Sequence, residues 1–460
     1  MFPVVIDRVV KTCKTSCRRN THAEYKTRIS QLQYACGVTP DFLCTFVSLG
    51  GIIGYKIPAI VYSCPIMFNF TATPPLSLYI HIPWCVRKCP YCDFNSHAIR
   101  DDLPEQAYID ALLADLEQDL PSVWGRTLET VFIGGGTPSL FSPEAIDRLL
   151  SGIRSRMTVA PLAEITLEAN PGTVDHAHFK GYREAGINRL SIGVQSFQPD
   201  LLEKIGRIHS GRDAIRAAEI AHDAGFDNFN LDLMFGLPGQ TLEQARADLH
   251  TAIDLEPAHL SWYELTIEPN TWFYRHPPQR PNDATLWSMQ MAGQAVLGEH
   301  DFPRYEVSAY AHADKQCRHN LNYWQFGDYL GVGAGAHGKV THAAHQRISR
   351  SAKTRHPERY LETASSYERT STSTDLSAED AAFEYIMNAL RLDAGFTREM
   401  FTAATGLPFA VIADEAGRAI DDELLVEENG TLHTNARGQR YLNELLQYFM
   451  EGADADSDQG

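Results

Sequence analysis

Basic residues are in short supply: the 460-residue chain has 40 Lys and Arg against 58 Asp and Glu, a formal charge of -18. Proteins that grip phosphate backbones do so with clustered Lys and Arg that displace counterions, so this balance speaks against a nucleic-acid partner. A stable membrane span is lacking too, because the apolar stretch Phe42 to Gly54 falls short of the ~18 to 20 residues a span needs and is closed by Lys56. The first residues carry no tripartite signal-peptide pattern. The chain has no C-x2-C-H, so cytochrome-c-type thioether attachment of haem is not supported. Its nine cysteines are grouped in a way that fits a reducing, cytoplasmic compartment better than a disulfide framework.

Five of those cysteines (Cys13, Cys17, Cys36, Cys44, Cys64) fall in residues 1–66, where eight Lys or Arg face three Asp or Glu, a net of +5. The composition changes at Met67, and Met67-Phe-Asn-Phe leads directly into the first strand. We expect Met67 to be the true initiator and residues 1–66 to be an atypical extension that is not translated. The competing expectation is a genuine cysteine-rich arm that binds metal through Cys13-x3-Cys17.

What the chain does have is a strand, Leu76 to Ile82, running into Trp84-Cys85-Val-Arg-Lys-Cys89-Pro-Tyr91-Cys92, three thiols spaced C-x3-C-x2-C. Soft sulfur ligands hold iron–sulfur clusters, and three of them would leave one iron open to a substrate or cofactor. Zinc, with His81 or His97 as fourth ligand, is the alternative, although no second C-x2-C pair follows downstream.

Beyond the loop, short apolar runs alternate with amphipathic helical stretches about every 30 residues, the pattern of βα units on a parallel sheet. Strands are expected at 76–82, 130–134, 164–169, 189–194, 228–234 and 259–266, with helices between them. Parallel sheets bind ligands where their strands end. Here the second strand ends in Gly134-Gly135-Gly136-Thr137-Pro138, the third in Glu168-Ala-Asn-Pro, the fourth in Gln195-Ser196 and the fifth in Asp232-Leu-Met-Phe-Gly. Singly, such residues are solvated loop ends, and Arg207 a surface charge.

In this order, however, the cysteine loop and the strand ends resemble the radical S-adenosylmethionine (SAM) superfamily. The resemblance implies a partial (βα)6 barrel and a [4Fe-4S] cluster on Cys85, Cys89 and Cys92, whose open iron chelates SAM and whose electron cleaves it. It also implies SAM contacts from Tyr79, Tyr91, Gly135, Gly136, Thr137, Glu168, Gln195, Arg207 and Asp232, with Tyr91 near the adenine and the glycines at the amino group.

A second dense stretch, Cys317-Arg-His319-Asn-Leu-Asn-Tyr323-Trp324, puts possible haem ligands beside aromatic rings that suit a porphyrin face. A structural loop is the plainer reading of a single His. The Gly331-x-Gly333-x-Gly335 run has no Rossmann context and marks close packing. From Met67 to about residue 448 the chain resembles the oxygen-independent coproporphyrinogen III oxidase family, and the His-Asn-x-x-Tyr-Trp motif resembles that of its haem-chaperone branch. The oxidases carry a further cysteine two residues after the third, where this chain has Phe94. The resemblance therefore implies a carrier of haem, contacted by His319, Tyr323 and Trp324. Its partners would be acceptor haemoproteins, with respiratory ones as one candidate class, and an electron donor for the cluster. The alternative is the oxidase itself, decarboxylating coproporphyrinogen III in porphyrin biosynthesis. A radical enzyme for an unrelated substrate is a third reading.

The divisions expected are a barrel over 67–315, a haem-motif segment and Ser/Thr-rich linker over 316–375, a small domain over 376–450 and an acidic, disordered tail over 451–460. Three helices and a hairpin at Asn429-Gly430 make the small domain winged-helix-like α+β, and its acidity favours a lid or protein contact over DNA.

Overall fold

Residues 67–100 and 102–450 are described by the structure, a computed structural model. The extension expected over 1–66, including Cys13-x3-Cys17, and the tail expected over 451–460 lie outside the described residues. Six strands and six helices alternate: β1 (Leu76–Ile82), α1 (Glu105–Asp119), β2 (Thr127–Gly135), α2 (Pro143–Arg154), β3 (Thr158–Ala169), α3 (His176–Ala185), β4 (Arg189–Gln195), α4 (Gly211–Asp223), β5 (Phe229–Phe235), α5 (Leu242–Asp254), β6 (His259–Glu264) and α6 (Asp283–Glu299). Each strand from β1 to β6 pairs in parallel with the next, the (βα)6 arrangement expected.

Local chemistry starts the helices where they are needed. Ser142 caps α2 ahead of Pro143, and Ser210 and Thr241 form capping boxes with Asp213 and Gln244 at the heads of α4 and α5. Ile146, Leu149, Leu150 and Ile153 then bury one face of α2. Outward strand residues such as Leu78, Ile80, Val131, Ile133, Leu167 and Ile192 meet the helices in one continuous core.

The sheet does not stop at six strands. Its order is β12-β11-β10-β9-β1-β2-β3-β4-β5-β6-β8-β7, with β7 (Arg304–Glu306), β8 (Ala309–Ala311), β9 (Asp328–Val332), β10 (His337–His342), β11 (Arg347–Lys353) and β12 (Thr370–Asp375). β9 lies parallel to β1 on its open edge, and β10, β11 and β12 follow antiparallel. The stretch 316–375, expected as a separate segment ending in a linker, thus extends the barrel sheet. Its Ser and Thr residues from 370 are an edge strand whose side chains face solvent, and an edge needs that polarity. The glycine run at the end of β9 does mark close packing: a Cβ at Gly333 would lie 2.3 Å from the His81 carbonyl oxygen, and its φ is +105°.

The helix α7 (Arg318–Trp324) crosses to the barrel, and residues from 376 onward fold as α8 (Ala378–Ala389), α9 (Arg398–Thr405), α10 (Ala413–Asp421), the hairpin β13 (Leu425–Glu428) and β14 (Thr431–Thr434), and α11 (Leu442–Met450). Asn429 and Gly430 turn the hairpin with φ of 51° and 81°, so the winged-helix-like reading holds. Among the described residues no helix is long and apolar enough to cross a membrane.

One buried network ties the added strands to the first helix. Asp115 of α1 accepts from Lys353 Nζ at 2.6 Å, Arg369 Nε at 2.8 Å and the Tyr360 hydroxyl at 2.7 Å, while Asp119 takes a second bond from each cation. Removing one member of such a set leaves buried charge uncompensated. Asp115→Ala is expected to cost about 3 kcal/mol in urea unfolding, and a loss below ~0.5 kcal/mol, the size of an ordinary surface substitution, would show that Asp119 alone can hold both cations.

Candidate functional site

The strands alternate, and the residues that point into the barrel are almost all polar. From β1 to β6 they include Ser77, Tyr79 and His81; Thr130, Phe132 and Gly134; Glu164, Thr166 and Glu168; Arg189, Ser191 and Gln195; Asn230 and Asp232; and His259, Ser261 and Tyr263. Hydrogen bonds join them across strands. Ser191 Oγ and Asn230 Nδ2 donate to Asp232 at 3.0 and 2.9 Å, Ser261 Oγ donates to Asn230 Oδ1 at 3.1 Å, and the Tyr263 hydroxyl donates to Gln195 Oε1 at 2.9 Å.

At the carboxyl ends of the strands lies the cysteine loop. Cys85, Cys89 and Cys92 are free and half-buried. Burial raises the Cys92 thiol to about 11, with the neighbouring Cys85 and Cys89 adding to the rise. A thiol held neutral by burial is suited to a cation that supplies the missing positive charge, because ligation requires the thiolate. The sulfurs do not form a compact ligand group in this conformation: among the described residues no three His, Cys, Asp or Glu side chains are gathered as a metal site. Arg207 Nη1 lies 3.7 Å from Cys89 Sγ, and a second nitrogen of the same guanidinium donates to the Gly193 carbonyl beside Gln195. Cys89, Thr137, Gly206 and Arg207 line one small cleft.

The glycine turn packs against this loop. A Cβ at Gly135, whose φ is +116°, would lie 2.6 Å from the His81 ring, so no side chain fits. The N–H groups are committed: Gly135 donates to Glu168 Oε2 at 2.9 Å, Gly136 to the Ile82 carbonyl and Thr137 to the Trp84 carbonyl. A ligand bonding to the backbone here must therefore donate to carbonyl oxygens, as an ammonium group does. Burial raises the Glu168 carboxyl to about 7. Burial likewise raises Asp232, and the Tyr79 hydroxyl bonds to His81 Nδ1 at 2.9 Å. Tyr91 packs its ring 6.5 Å from that of Phe273.

The structure thus sets Thr137 and Arg207 beside the cysteine loop and joins Glu168 to Gly135 and Gln195 to Tyr263, but it does not gather the three sulfurs as a metal site. It does not bring His319, Tyr323 and Trp324 to them. His319 bonds through Nδ1 to Thr130 Oγ1 at 2.7 Å and through Nε2 to the Tyr323 hydroxyl at 3.0 Å, and stacks on Phe132 at 5.0 Å. Thr130 stands five residues before Gly135, roughly 16 Å along the strand. The motif closes the opposite end of the barrel, where Glu164 accepts the N–H groups of Arg318 and His319 at 3.1 and 3.0 Å. Burial lowers His319 to about 3, so its imidazole is neutral.

Several residues of this interior escaped sequence reasoning. Glu164 pairs with buried Arg189, and His259 bridges Asn230 and the Tyr305 hydroxyl at 2.7 and 2.8 Å. Asp248 of α5 accepts from Ser196 Oγ and Phe197 N, fixing the turn after Gln195, whose φ is +70°. The available signal was polar residues at every second position of otherwise apolar strands.

Comparison with known proteins agrees with this arrangement. Residues 79–252 match the radical SAM superfamily and residues 376–441 the HemN C-terminal domain. The haem chaperone HemW of Escherichia coli is 50% identical over 382 residues, covering 82% of this chain and 98% of that protein. The HemW haem chaperone of Lactococcus lactis is 31% identical over 384 residues, covering 82% of this chain and 97% of that one. Among solved structures, the Escherichia coli coproporphyrinogen III oxidase HemN shares the fold with a TM-score of 0.70 at 21% identity, over 82% of this chain and 90% of that chain. A [4Fe-4S] cluster and SAM are implied by the radical SAM match. With half its residues identical across nearly the whole length of such a relative, the chain belongs to the HemW haem chaperone family of radical SAM proteins.

Proposed function

We propose that this protein binds haem and delivers it to acceptor haemoproteins, and that it carries a SAM-coordinated [4Fe-4S] cluster on Cys85, Cys89 and Cys92. The observation that carries the reading is the identity to haem chaperones over 98% of their length, in a chain with three loop thiols rather than four. Phe94 stands where the oxidases have a fourth cysteine, which disfavours the oxidase alternative. The free thiols, Cys317 among them, suit a reducing cytoplasm.

When bound, the cluster supplies an open iron for SAM and an electron to it. The residues around it do the positioning. Arg207 places positive charge beside Cys89, Glu168 and the glycine-turn carbonyls would accept the SAM amine, Asp232, Gln195 and Tyr263 line the inner wall, and Tyr79 holds His81 against Gly135. Haem contact by His319 requires its ring to exchange a bond to Thr130 or Tyr323, because both nitrogens are engaged.

Three measurements test this. Anaerobic reconstitution of Cys89→Ser should give protein that retains no stable cluster, whereas full iron and sulfide content would remove Cys89 from the ligand set. Since burial raises Glu168 to about 7 and its ionised form is the stronger acceptor for the N–H groups of the SAM amine, SAM affinity should fall as pH drops below 7. Glu168→Gln should flatten that dependence and weaken binding on the order of tenfold at pH 8; an unchanged pH profile removes Glu168 from the SAM site. Haem titration followed by the Soret band should saturate in wild type and weaken in His319→Ala. Absence of saturable binding in wild type, or anaerobic formation of protoporphyrinogen, would overturn the carrier reading.

A further inference from the structure

A cavity of about 380 Å³ opens between α6 of the barrel and the C-terminal domain, sharing no lining residue with the cleft at the cysteine loop. In a chain of net charge -18, four arginines (Arg304, Arg391, Arg437, Arg440) and one acid (Asp393) line it. Some of that charge is matched: Arg304 bonds to Asp393 at 2.9 Å, Arg391 to Glu306 at 3.1 Å, and Arg437 approaches Glu423 at 3.9 Å. Arg440 makes no ion pair among the described residues. Its guanidinium lies over two rings, 4.5 Å from the Trp287 centroid and 5.3 Å from that of Tyr441. Met291 and Tyr441, each 40% exposed, add apolar wall.

Planar cations beside aromatic and thioether walls suit a flat, largely apolar ligand that carries carboxylates, because guanidinium groups grip carboxylates in a fixed fork. The volume lies at the lower end of the ~300 to 1,000 Å³ of small-molecule sites, so a large macrocycle would enter by one edge. Arg391, on the cavity wall, also covers the ring of Trp324 at 4.3 Å, which connects the cavity to the His-Asn-x-x-Tyr-Trp motif. We propose that this cleft is where the protein docks haem, gripping its two carboxylates with Arg440 and Arg437 and leaving the opposite edge of the macrocycle outside for transfer. This rests on the haem-carrier reading and assigns it a place.

The test uses the full chain with its cluster reconstituted and two probes, ferric haem and its dimethyl ester, which lacks the carboxylate charges. Wild type should bind haem on the order of tenfold more tightly than the ester, and Arg440→Ala and Arg437→Ala should each lower haem affinity several-fold to tenfold while leaving the ester unchanged. Both positions are at the surface, and unchanged melting curves verify folding. If wild type binds both probes equally, or both variants bind haem as wild type does, the cleft is not the docking site although the carrier reading stands. If wild type binds neither probe, the carrier reading itself fails, and this inference with it.

Discussion

The constraint on which the site depends is the polar lining of the barrel. Six parallel strands turn Ser, Thr, Asn, Asp, Glu, Arg and His inward, and each such group, cut off from water, must find a partner or cost free energy. The partners come mostly from the neighbouring strand, so register and polarity hold each other: Asn230 reaches Ser191, Asp232, Ser261 and His259. A one-residue slip of β5 would turn those groups to the helices and bring leucines into the lumen. The same alignment sets Glu168, Gln195 and Asp232 around the mouth.

A polar lumen must also be closed at the end away from the ligand. Glu164 and Arg189 are a buried pair, and the carboxylate is further satisfied by the backbone N–H groups that begin α7 and by the Cys317 thiol. The His-Asn-x-x-Tyr-Trp helix is therefore a plug as well as a motif. His319 serves as a neutral bridge between Thr130 and Tyr323, and Trp324 lies beneath Arg391. Any role for His319 in binding haem must compete with this structural one, whereas Trp324 can act on the outside through Arg391 without leaving its place.

What the sequence disclosed followed from local rules. All six barrel strands overlap their expected positions, although the third begins six residues earlier, at Thr158, because runs such as Leu76 to Ile82 are too apolar and β-branched to be anything else between helices with clear caps. The hairpin at Asn429-Gly430 was legible for the same reason. The seventh parallel strand was not: Asp328 to Val332 pairs with β1, more than 240 residues earlier, and nothing local announces a non-local pairing. The Thr370 edge strand was hidden by its own solvent-facing composition. The cysteines, Glu168 and Arg207 were legible as a motif, but their geometric helpers were not. Asp248 supports Gln195 from a helix 53 residues further on, and His81 fits Gly135 only because of how the two strands meet.

The two ends of the barrel are not independent, because they share β1 and β2. Along these strands the rings of His319, Phe132 and Tyr79 follow one another at 5.0 and 6.3 Å, and Tyr79 then bonds to His81 under the glycine turn. Phe132 also lies against Gly134, where an added Cβ would meet its ring at 2.9 Å. Close-packed rings of this kind shift together or not at all, since voids and overlaps are both costly. A ligand that displaces the glycine turn must move His81, and hence Tyr79 and Phe132, against the plug helix. The packing thus supplies a continuous mechanical route between the cysteine loop and the His-Asn-x-x-Tyr-Trp helix. Energetic coupling along it would follow from differential contacts at the two ends, not from proximity.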